Sequence, residues 1–463
     1  MSDFDNILLL TDSYKVTHHR QYPPSTETVF SYFESRGGAF DETAFFGLQY
    51  YLKRYLAGEV VTPRKIDEAE ALFAPHFFGD TSLFYRAGWE HIVTARGGRL
   101  PVRICAVPEG SVVPVSNVLM TIENTDPHSY WLTNYLETLL VQVWYGSTVA
   151  TQSREMKRTI RTALEETGDP DLVNFKLHDF GFRGVSSVET AGVGGAAHLV
   201  NFEGTDTVAG LQIARNYYSA DMPGFSIPAA EHSTQTSWGR EHEVEAMRNM
   251  LTQFPTGFVA VVSDSYDIFA ACSDLWGGTL KDEVLARDGV LVVRPDSGHP
   301  PEVVCKVLDR LGEAFGTETN EKGYRLLNSK VRVIQGDGID RKMLAEILAA
   351  TKSAGWSADN VAFGSGGGLL QKLNRDTSKY AFKCSEVTVA GKLRDVFKQP
   401  VTDSGKQSKR GRLALVSREG CLQTVRENEL QSGESNELVE VFRNGILTSE
   451  SSFDEVRQRA AID

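Results

Sequence analysis

Seven apolar or extended runs in the middle of the chain each end in a polar or glycine turn, and helical periodicity resumes after most of them. They read NFKLHDFGFRG, LVNFEGTD, FSIPAAEHS, FVAVVSDS, VLVVRPDSG, VRVIQGDG and VAFGSGG, with turns near Asp179, Asp206, His232, Asp264, Asp296, Asp337 and Ser365. Each run with its turn and helix has the length of one βα unit. The segments YDIFAACSDLW and PEVVCKVLDRLGEAF, after Asp264 and Pro300, show the apolar spacing of amphipathic helices. Successive βα units require a parallel sheet with right-handed crossovers. Seven or eight of them predict a closed α/β barrel or, failing closure, an open doubly wound sheet. Either way ligands meet the C-terminal strand ends, so all seven turns are expected on one face.

The flanks read differently. Residues 99–122 alternate between apolar stretches and Pro or Gly breaks, and residues 381–446 hold short strands with hairpin signals at Ala390-Gly391 and Asn444-Gly445. Residues 130–165 read as helical, and a final helix opens with a capping box, Ser452 to Glu455. The predicted class is therefore α/β, a TIM-like barrel of parallel strands at 151–385. A second, β-rich domain is expected from the two ends, 1–150 plus 386–463. A net charge of −13 over 463 residues argues against nucleic acid as a partner and requires any phosphate site to gather its own cations. Five scattered cysteines without a C-x-x-C pair read as reduced, buried thiols of a cytoplasmic protein. The start MSDFDNILLL is not a signal peptide, and no run of about 18 apolar residues predicts a membrane span.

The candidate chemistry sits in the turns. Gly364 to Gly368 puts four glycines and Ser365 between a strand and a helix-like pattern. That is either a tight turn or a cradle for an anion approaching the backbone. It lacks the Lys-Ser/Thr of a P-loop and the spacing of a dinucleotide fingerprint. Cations follow it, including Arg375, Lys383, Lys398 and Lys406, although a run such as KQSKRGR also reads as a solvated face. Asp264, Asp296 and Asp337 taken singly are turn or cap residues. Together on one rim they suit sugar hydroxyls or Mg²⁺ on a polyphosphate. Glu231 and His232 close another strand; no H-E-x-x-H exists, so a protein-held metal is not expected, and a proton-handling or nucleophilic histidine stays open. Phe180 and Arg183 are either core and surface residues or a stacking ring with an amide or acid donor.

At this level of detail the sequence resembles the nicotinamide phosphoribosyltransferases of the type II phosphoribosyltransferase family. The likeness is carried by TDSYKVTHHRQYPP, SYFESRGG, KLHDFGFRGVSSVETAGVGGAAHLVNFEGTDTVAGL, PAAEHSTQTSWG, VVSDSYDI, RPDSG, QGDG and AFGSGGGLLQKL, nearly end to end. It implies an irregular α/β barrel with a β-rich domain at a dimer interface, and transfer of phosphoribose from PRPP to nicotinamide, with Mg²⁺ and with ATP as coupled co-substrate. By the same resemblance Phe180 and a second subunit's Tyr14 sandwich the ring, Arg183 holds the amide oxygen and Asp206 accepts from the amide NH₂. Arg294 and Asp296 stand at the reacting centre. Gly336 and Asp337 hold ribose hydroxyls. Gly366, Gly367 and Arg375 take the 5′-phosphate, and Arg36, Lys383, Lys398 and Lys406 form the interface cluster for phosphates. His232 resembles the histidine that ATP phosphorylates. One departure is Ala381, where the family pattern has Ser, which removes a hydroxyl contact to phosphate.

Displacement at an anomeric carbon by a neutral pyridine nitrogen needs positioning and charge stabilisation, not a strong base. That fits aromatics, aspartates and glycines without a triad. Two other readings remain: a nicotinate enzyme of the same fold, which Asp206 opposes because a substrate carboxylate would face a like charge, and a metabolite-binding relative without catalysis.

Overall fold

The structure is a computed structural model and describes residues 4–399 and 408–462. It divides into two compact units. One comprises the chain up to Thr151 with Asn216–Ala220 and Leu373–Ala460; the other comprises Gln152–Arg215 and Asp221–Lys372 with the last residues. The helix Val143–Thr167 carries the chain from the first to the second.

The second unit holds the parallel sheet. Its strands are β1 (Leu177–Asp179), β2 (Gly204–Thr205), β3 (Thr256–Val262), β4 (Asp288–Arg294), β5 (Val331–Gln335) and β6 (Val361–Ser365). They lie in the order β2-β1-β6-β5-β4-β3, and all their pairings are parallel. The two edges are joined by irregular chain: Gly204 bridges Phe225 and Ala229 bridges Ala260. The Thr205 N–H donates to the Phe225 carbonyl at 3.0 Å and the Ala230 N–H to the Ala260 carbonyl at 2.9 Å. The predicted barrel is therefore irregular. The FSIPAAEHS run closes it through two bridges and not a strand, because Pro223, Gly224 and Pro228 interrupt the ladder.

Side-chain alternation sorts the sheet into two faces. Ala260, Val292 and Ile334 meet inside the curl, with Phe180 and Ile227 packed against them. Val259, Val261, Val293, Val333 and Phe363 fall on the opposite face and are fully buried. The helices that cover a parallel sheet supply the matching stripes. Pro300–Phe315 starts on two prolines, where no intrahelical N–H is lost, and buries Val304, Val307, Leu308 and Leu311. Arg341–Ser353 is capped by Asp340, which accepts from the N–H groups of Lys342 and Met343 at 3.1 and 3.0 Å.

The first unit is built on a seven-stranded antiparallel sheet that interleaves both chain ends. Its order is Lys392–Asp395, Tyr380–Val389, Thr26–Ser35, Val118–Asn124, Val102–Ala106, Val439–Arg443 and Ile446–Leu447. Both predicted hairpins have positive φ at their two central residues, 49° and 72° at Ala390-Gly391 and 51° and 83° at Asn444-Gly445. That geometry matches the right-handed twist of the paired strands. The segment 130–165 begins with two single turns, Leu132–Tyr135 and Glu137–Leu140, before the long helix. The C-terminal helix Phe453–Ala460 has the expected box: the Ser452 N–H donates to Glu455 Oε2 at 2.8 Å, and the Glu455 N–H to Ser452 Oγ at 3.3 Å. All five cysteines are free thiols; Cys105 and Cys272 are buried as expected, whereas Cys305 and Cys384 are half-buried and Cys421 stands exposed at the start of the strand Cys421–Arg426. No helix among the described residues is long and apolar enough to cross a membrane.

Candidate active site

The strand ends of the second unit surround a cavity of about 350 Å³ lined by Phe180, Arg183, Asp206, Ser226 and Arg294 among others. Strand alternation explains its floor. In β1, Leu177 and Asp179 point to the helix side and are fully buried, while His178 points inward and lines the cavity. Burial lowers the His178 pKa, which keeps the imidazole neutral at pH 7.

Phe180 follows directly, its N–H donating to the Ser365 carbonyl of β6 at 2.9 Å. Its ring lies across two glycines. A Cβ at Gly364 would come within 1.9 Å of the ring and one at Gly336 within 3.3 Å. The Arg294 guanidinium stands 5.6 Å from the ring centroid. Arg183 rides on the exposed turn Phe182–Gly184. Across the cavity the Asp206 N–H donates to the Asp179 carbonyl at 3.0 Å, and Asp206 Oδ1 accepts from the Ser226 hydroxyl.

Beside this lies a charged cluster. His232 Nε2 lies 2.8 Å from Asp264 Oδ1, and His232 Nδ1 lies 4.0 Å from Asp296 Oδ2. A carboxylate oxygen accepts, so Nε2 is the nitrogen that donates to Asp264, and Nδ1 is the one turned toward Asp296. Asp264 is held in turn by the Asp296 N–H at 3.2 Å and the Ser297 hydroxyl at 2.6 Å. Arg294 reaches Asp296 Oδ1 through Nη2 at 2.8 Å and Nε at 3.1 Å. Asp337 is exposed after β5, and its carbonyl accepts from the Gln335 side chain at 3.1 Å.

The glycine run after β6 is split between packing and access. Gly368 is a packing position: a Cβ there would meet the Ile339 carbonyl at 2.2 Å. Gly367 has open space on its Cβ side, and Gly366 meets only the Phe180 carbonyl, at 3.4 Å. The helix that follows, Gly367–Leu370, is a single turn.

The remaining predicted residues belong to the first unit, where a cavity of about 650 Å³ is lined by Tyr14, Arg36, Arg375, Lys383 and Lys398 together with Lys15 and Lys379. Those six basic groups face three acidic ones, Asp12, Glu137 and Asp376. Lys15 is paired with Glu137 at 2.7 Å and Arg36 with Glu34 at 2.6 Å. Burial first, and then the cations Arg36, Lys398 and Arg375, lower the Lys383 pKa. Ala381 lines this cavity, and Tyr14 is exposed. Lys406 lies outside the described residues. The predicted residues thus form two sets: Phe180, Arg183, Asp206, His232, Arg294, Asp296, Gly336, Asp337, Gly366 and Gly367 in one unit, Tyr14, Arg36, Arg375, Lys383 and Lys398 in the other.

Among the described residues, His91, Asp126 and His128 also have metal-ligand spacing, within 4.8 Å of one another. The carboxylate is already shared by Arg96 Nε at 2.8 Å and the His128 N–H at 3.0 Å, so the cluster reads as a capped ion-pair network. Ser226, His178 and the partnership of Asp264 with His232 were not assigned from sequence. Only His178 left a signal there, the inward position in Leu-His-Asp.

Comparison with known proteins follows the same lines. Residues 175–445 match the model of the nicotinate phosphoribosyltransferase family, and residues 6–104 match that of the nicotinamide phosphoribosyltransferase N-terminal domain. The chain is 54% identical to the nicotinamide phosphoribosyltransferase of Xanthomonas campestris pv. campestris over 99% of both chains. It is 35% identical to that of Acinetobacter baylyi over 98% of this chain and 97% of the other. A solved nicotinate-nucleotide pyrophosphorylase from Pyrococcus furiosus shares the fold, with a TM-score of 0.62 at 16% identity over 99% of this chain and 96% of the other.

Proposed function

The chain belongs to the nicotinamide phosphoribosyltransferase family, a family of pentosyltransferase enzymes, and on that premise we propose that it makes nicotinamide mononucleotide and pyrophosphate from nicotinamide and PRPP. The observation that carries the reading is Asp206, a carboxylate on the wall of a cavity that also presents an aromatic ring, Phe180, and a guanidinium, Arg183. A carboxamide offers both a donor and an acceptor; Asp206 suits its NH₂ and Arg183 its oxygen. A nicotinate carboxylate would meet Asp206 as a like charge, which disfavours the acid substrate.

In the step itself the ring nitrogen forms a bond to the anomeric carbon as the bond from that carbon to the pyrophosphate oxygen breaks. The electron pair leaves with pyrophosphate, and the ring gains a positive charge. No proton moves. Phe180 holds one face of the ring, and Tyr14 from a second copy in a homodimer covers the other. Asp296, oriented by Arg294, faces the oxocarbenium character of the ribose, Gly336 and Asp337 take its hydroxyls, and Gly366 and Gly367 take the 5′-phosphate. Arg36, Arg375, Lys383, Lys398 and Lys406 hold phosphates. Asp264 and Asp296 would offer hard oxygen donors to Mg²⁺ carried on PRPP, which would neutralise the charge of the leaving pyrophosphate.

ATP coupling belongs to the same proposal. Nε2 of His232 is committed to Asp264, so Nδ1 is the nitrogen that takes the γ-phosphoryl group, with ADP as leaving group. The enzyme is assigned to the cytoplasm.

The deciding experiment mixes the purified chain with PRPP, Mg²⁺ and either nicotinamide or nicotinate. Pyrophosphate and nicotinamide mononucleotide formed with at least tenfold preference for the amide support the reading. Preference for the acid, or no product from either, overturns it.

A further inference from the structure

Asp179 has no place in the chemistry above, yet it is the most enclosed carboxylate beside the ring cavity. It ends β1 on the helix-facing side and is 0% exposed. Its Oδ1 accepts the Gly181 N–H at 2.7 Å, and the same turn is closed by the Gly184 N–H on the Gly181 carbonyl at 2.9 Å. That turn carries Phe180 and Arg183. The Asp179 main-chain carbonyl accepts the Asp206 N–H at 3.0 Å. One residue therefore touches the supports of all three ring-facing groups. Its Oδ2 is sealed from solvent without a hydrogen bond, and the Thr207 hydroxyl, which is buried and unbonded as well, is the donor at hand.

Resting on the nicotinamide reading, we propose that Asp179 is the positioning residue of the ring cavity, tying the turn that bears Phe180 and Arg183 to the loop that bears Asp206. The carboxylate is closely packed: a Cβ at Gly181 would meet Leu370 at 2.5 Å and Asp179 Oδ1 at 2.9 Å, and Gly195, in the helix packed over it, has its Cβ direction filled by Thr207 and Gly210 with Asp179 Oδ2 in ordinary contact at 3.4 Å. A neutral Asx turn would also cap Gly181 without burying a charge; the carboxylate makes the stronger, charge-assisted bond.

Burial, reinforced by the Asp206 charge, raises the Asp179 pKa to about 6. The other titratable groups around it are His178 on the same strand, kept neutral by burial, and His198 of the covering helix Val188–Leu199, 3.2 Å from the Leu177 and Gly204 carbonyls; Glu189 stands in that helix's first turn. Protonation below pH 6 weakens the bond to Gly181 and so loosens the turn.

Steady-state kinetics of Asp179→Asn and Asp179→Ala between pH 5 and 8.5, with nicotinamide and PRPP varied separately, test this. The wild type is expected to lose kcat/KM for nicotinamide below about pH 6. Asp179→Asn should raise the nicotinamide KM three- to tenfold at pH 8, leave the PRPP KM within twofold and lose the acidic limb. Asp179→Ala should raise the nicotinamide KM beyond tenfold. A flat wild-type profile, an intact limb in Asp179→Asn, or equal loss of both substrates overturns the proposal. Should the alanine variant fail to fold, the asparagine variant decides alone. A wild type that makes no nicotinamide mononucleotide defeats the reading of function instead, before any variant is compared.

Discussion

A carboxylate that already accepts a hydroxyl proton, as Asp206 does from Ser226, has its second oxygen left to address an incoming ring. Replacing it by Ser removes the charge and keeps a hydrogen-bonding oxygen, so Asp206→Ser should narrow the preference for nicotinamide over nicotinate by tenfold or more. An unchanged ratio of kcat/KM on the two substrates would remove the electrostatic argument. His232 makes a different demand. Its geometry leaves Nδ1 open beside Asp296, and if it carries the phosphoryl group, His232→Ala should abolish stimulation by ATP while basal transfer persists. ATP hydrolysis by that variant during turnover would contradict the assignment. Asp179 adds a prediction about stability with a definite sign. Its folded pKa, about 6, lies above the ordinary 3.8, so folding favours its protonated form; the associated stability is present below pH 4 and lost as pH rises to 6. The difference of 2.2, at 1.36 kcal/mol per unit, makes the charge cost about 3 kcal/mol at pH 8. Asp179→Asn should thus melt no lower than wild type at pH 8, by calorimetry, even as it binds nicotinamide more weakly. A residue that lowers stability while improving a site is the pattern expected of function.

Six of the seven predicted runs contain strands of the parallel sheet, and for β3 to β6 the reason is physical: a strand buried on both faces needs a largely apolar run, and its loop must be polar because it reaches water. The FSIPAAEHS run departs because proline removes ladder donors, so its pairing reduces to the bridges at Phe225 and Ala229. The glycine cluster was legible as a close approach but not as to what approaches. Gly364 admits the Phe180 ring and Gly368 the Ile339 carbonyl, contacts between elements far apart in sequence that no local pattern encodes. The same holds for Ser226 on Asp206 and Asp264 on His232, pairs 20 and 32 residues apart. Gly364→Ala tests this at the level of the strand. Its new methyl would overlap the Phe180 ring, a form of overpacking that costs about 1–3 kcal/mol. The expected outcome is a lower melting temperature together with a nicotinamide KM raised more than tenfold. Gly366→Ala, with only a carbonyl at 3.4 Å, should leave the fold intact and affect PRPP instead. Equal effects of the two on both substrates would dissolve the division of labour within the run.

Over the whole molecule, a net charge of −13 coexists with a cavity where six basic groups face three acidic ones. If that cavity takes the phosphates, anionic substrates are recognised locally against the global field, and PRPP affinity should fall with ionic strength as exposed cations are screened. Tyr14 lies in the unit that holds this cavity, Phe180 in the other. If a homodimer builds each ring site from Phe180 of one copy and Tyr14 of the second, two individually crippled variants should complement each other. Consider Tyr14→Ala mixed with Phe180→Ala and reassembled at equal concentration. In a twofold-symmetric dimer half of the assemblies are mixed, and each mixed dimer has one site with both native aromatics, so about one quarter of wild-type activity should return. Sites formed within one chain give no such recovery, because every site would then lack one ring. The readout is nicotinamide mononucleotide formation before and after subunit exchange. The ratio distinguishes the arrangements without requiring either variant to be wholly inactive. Activity at the sum of the separate variants would assign Tyr14 and Phe180 to the same copy or separate them from a common site.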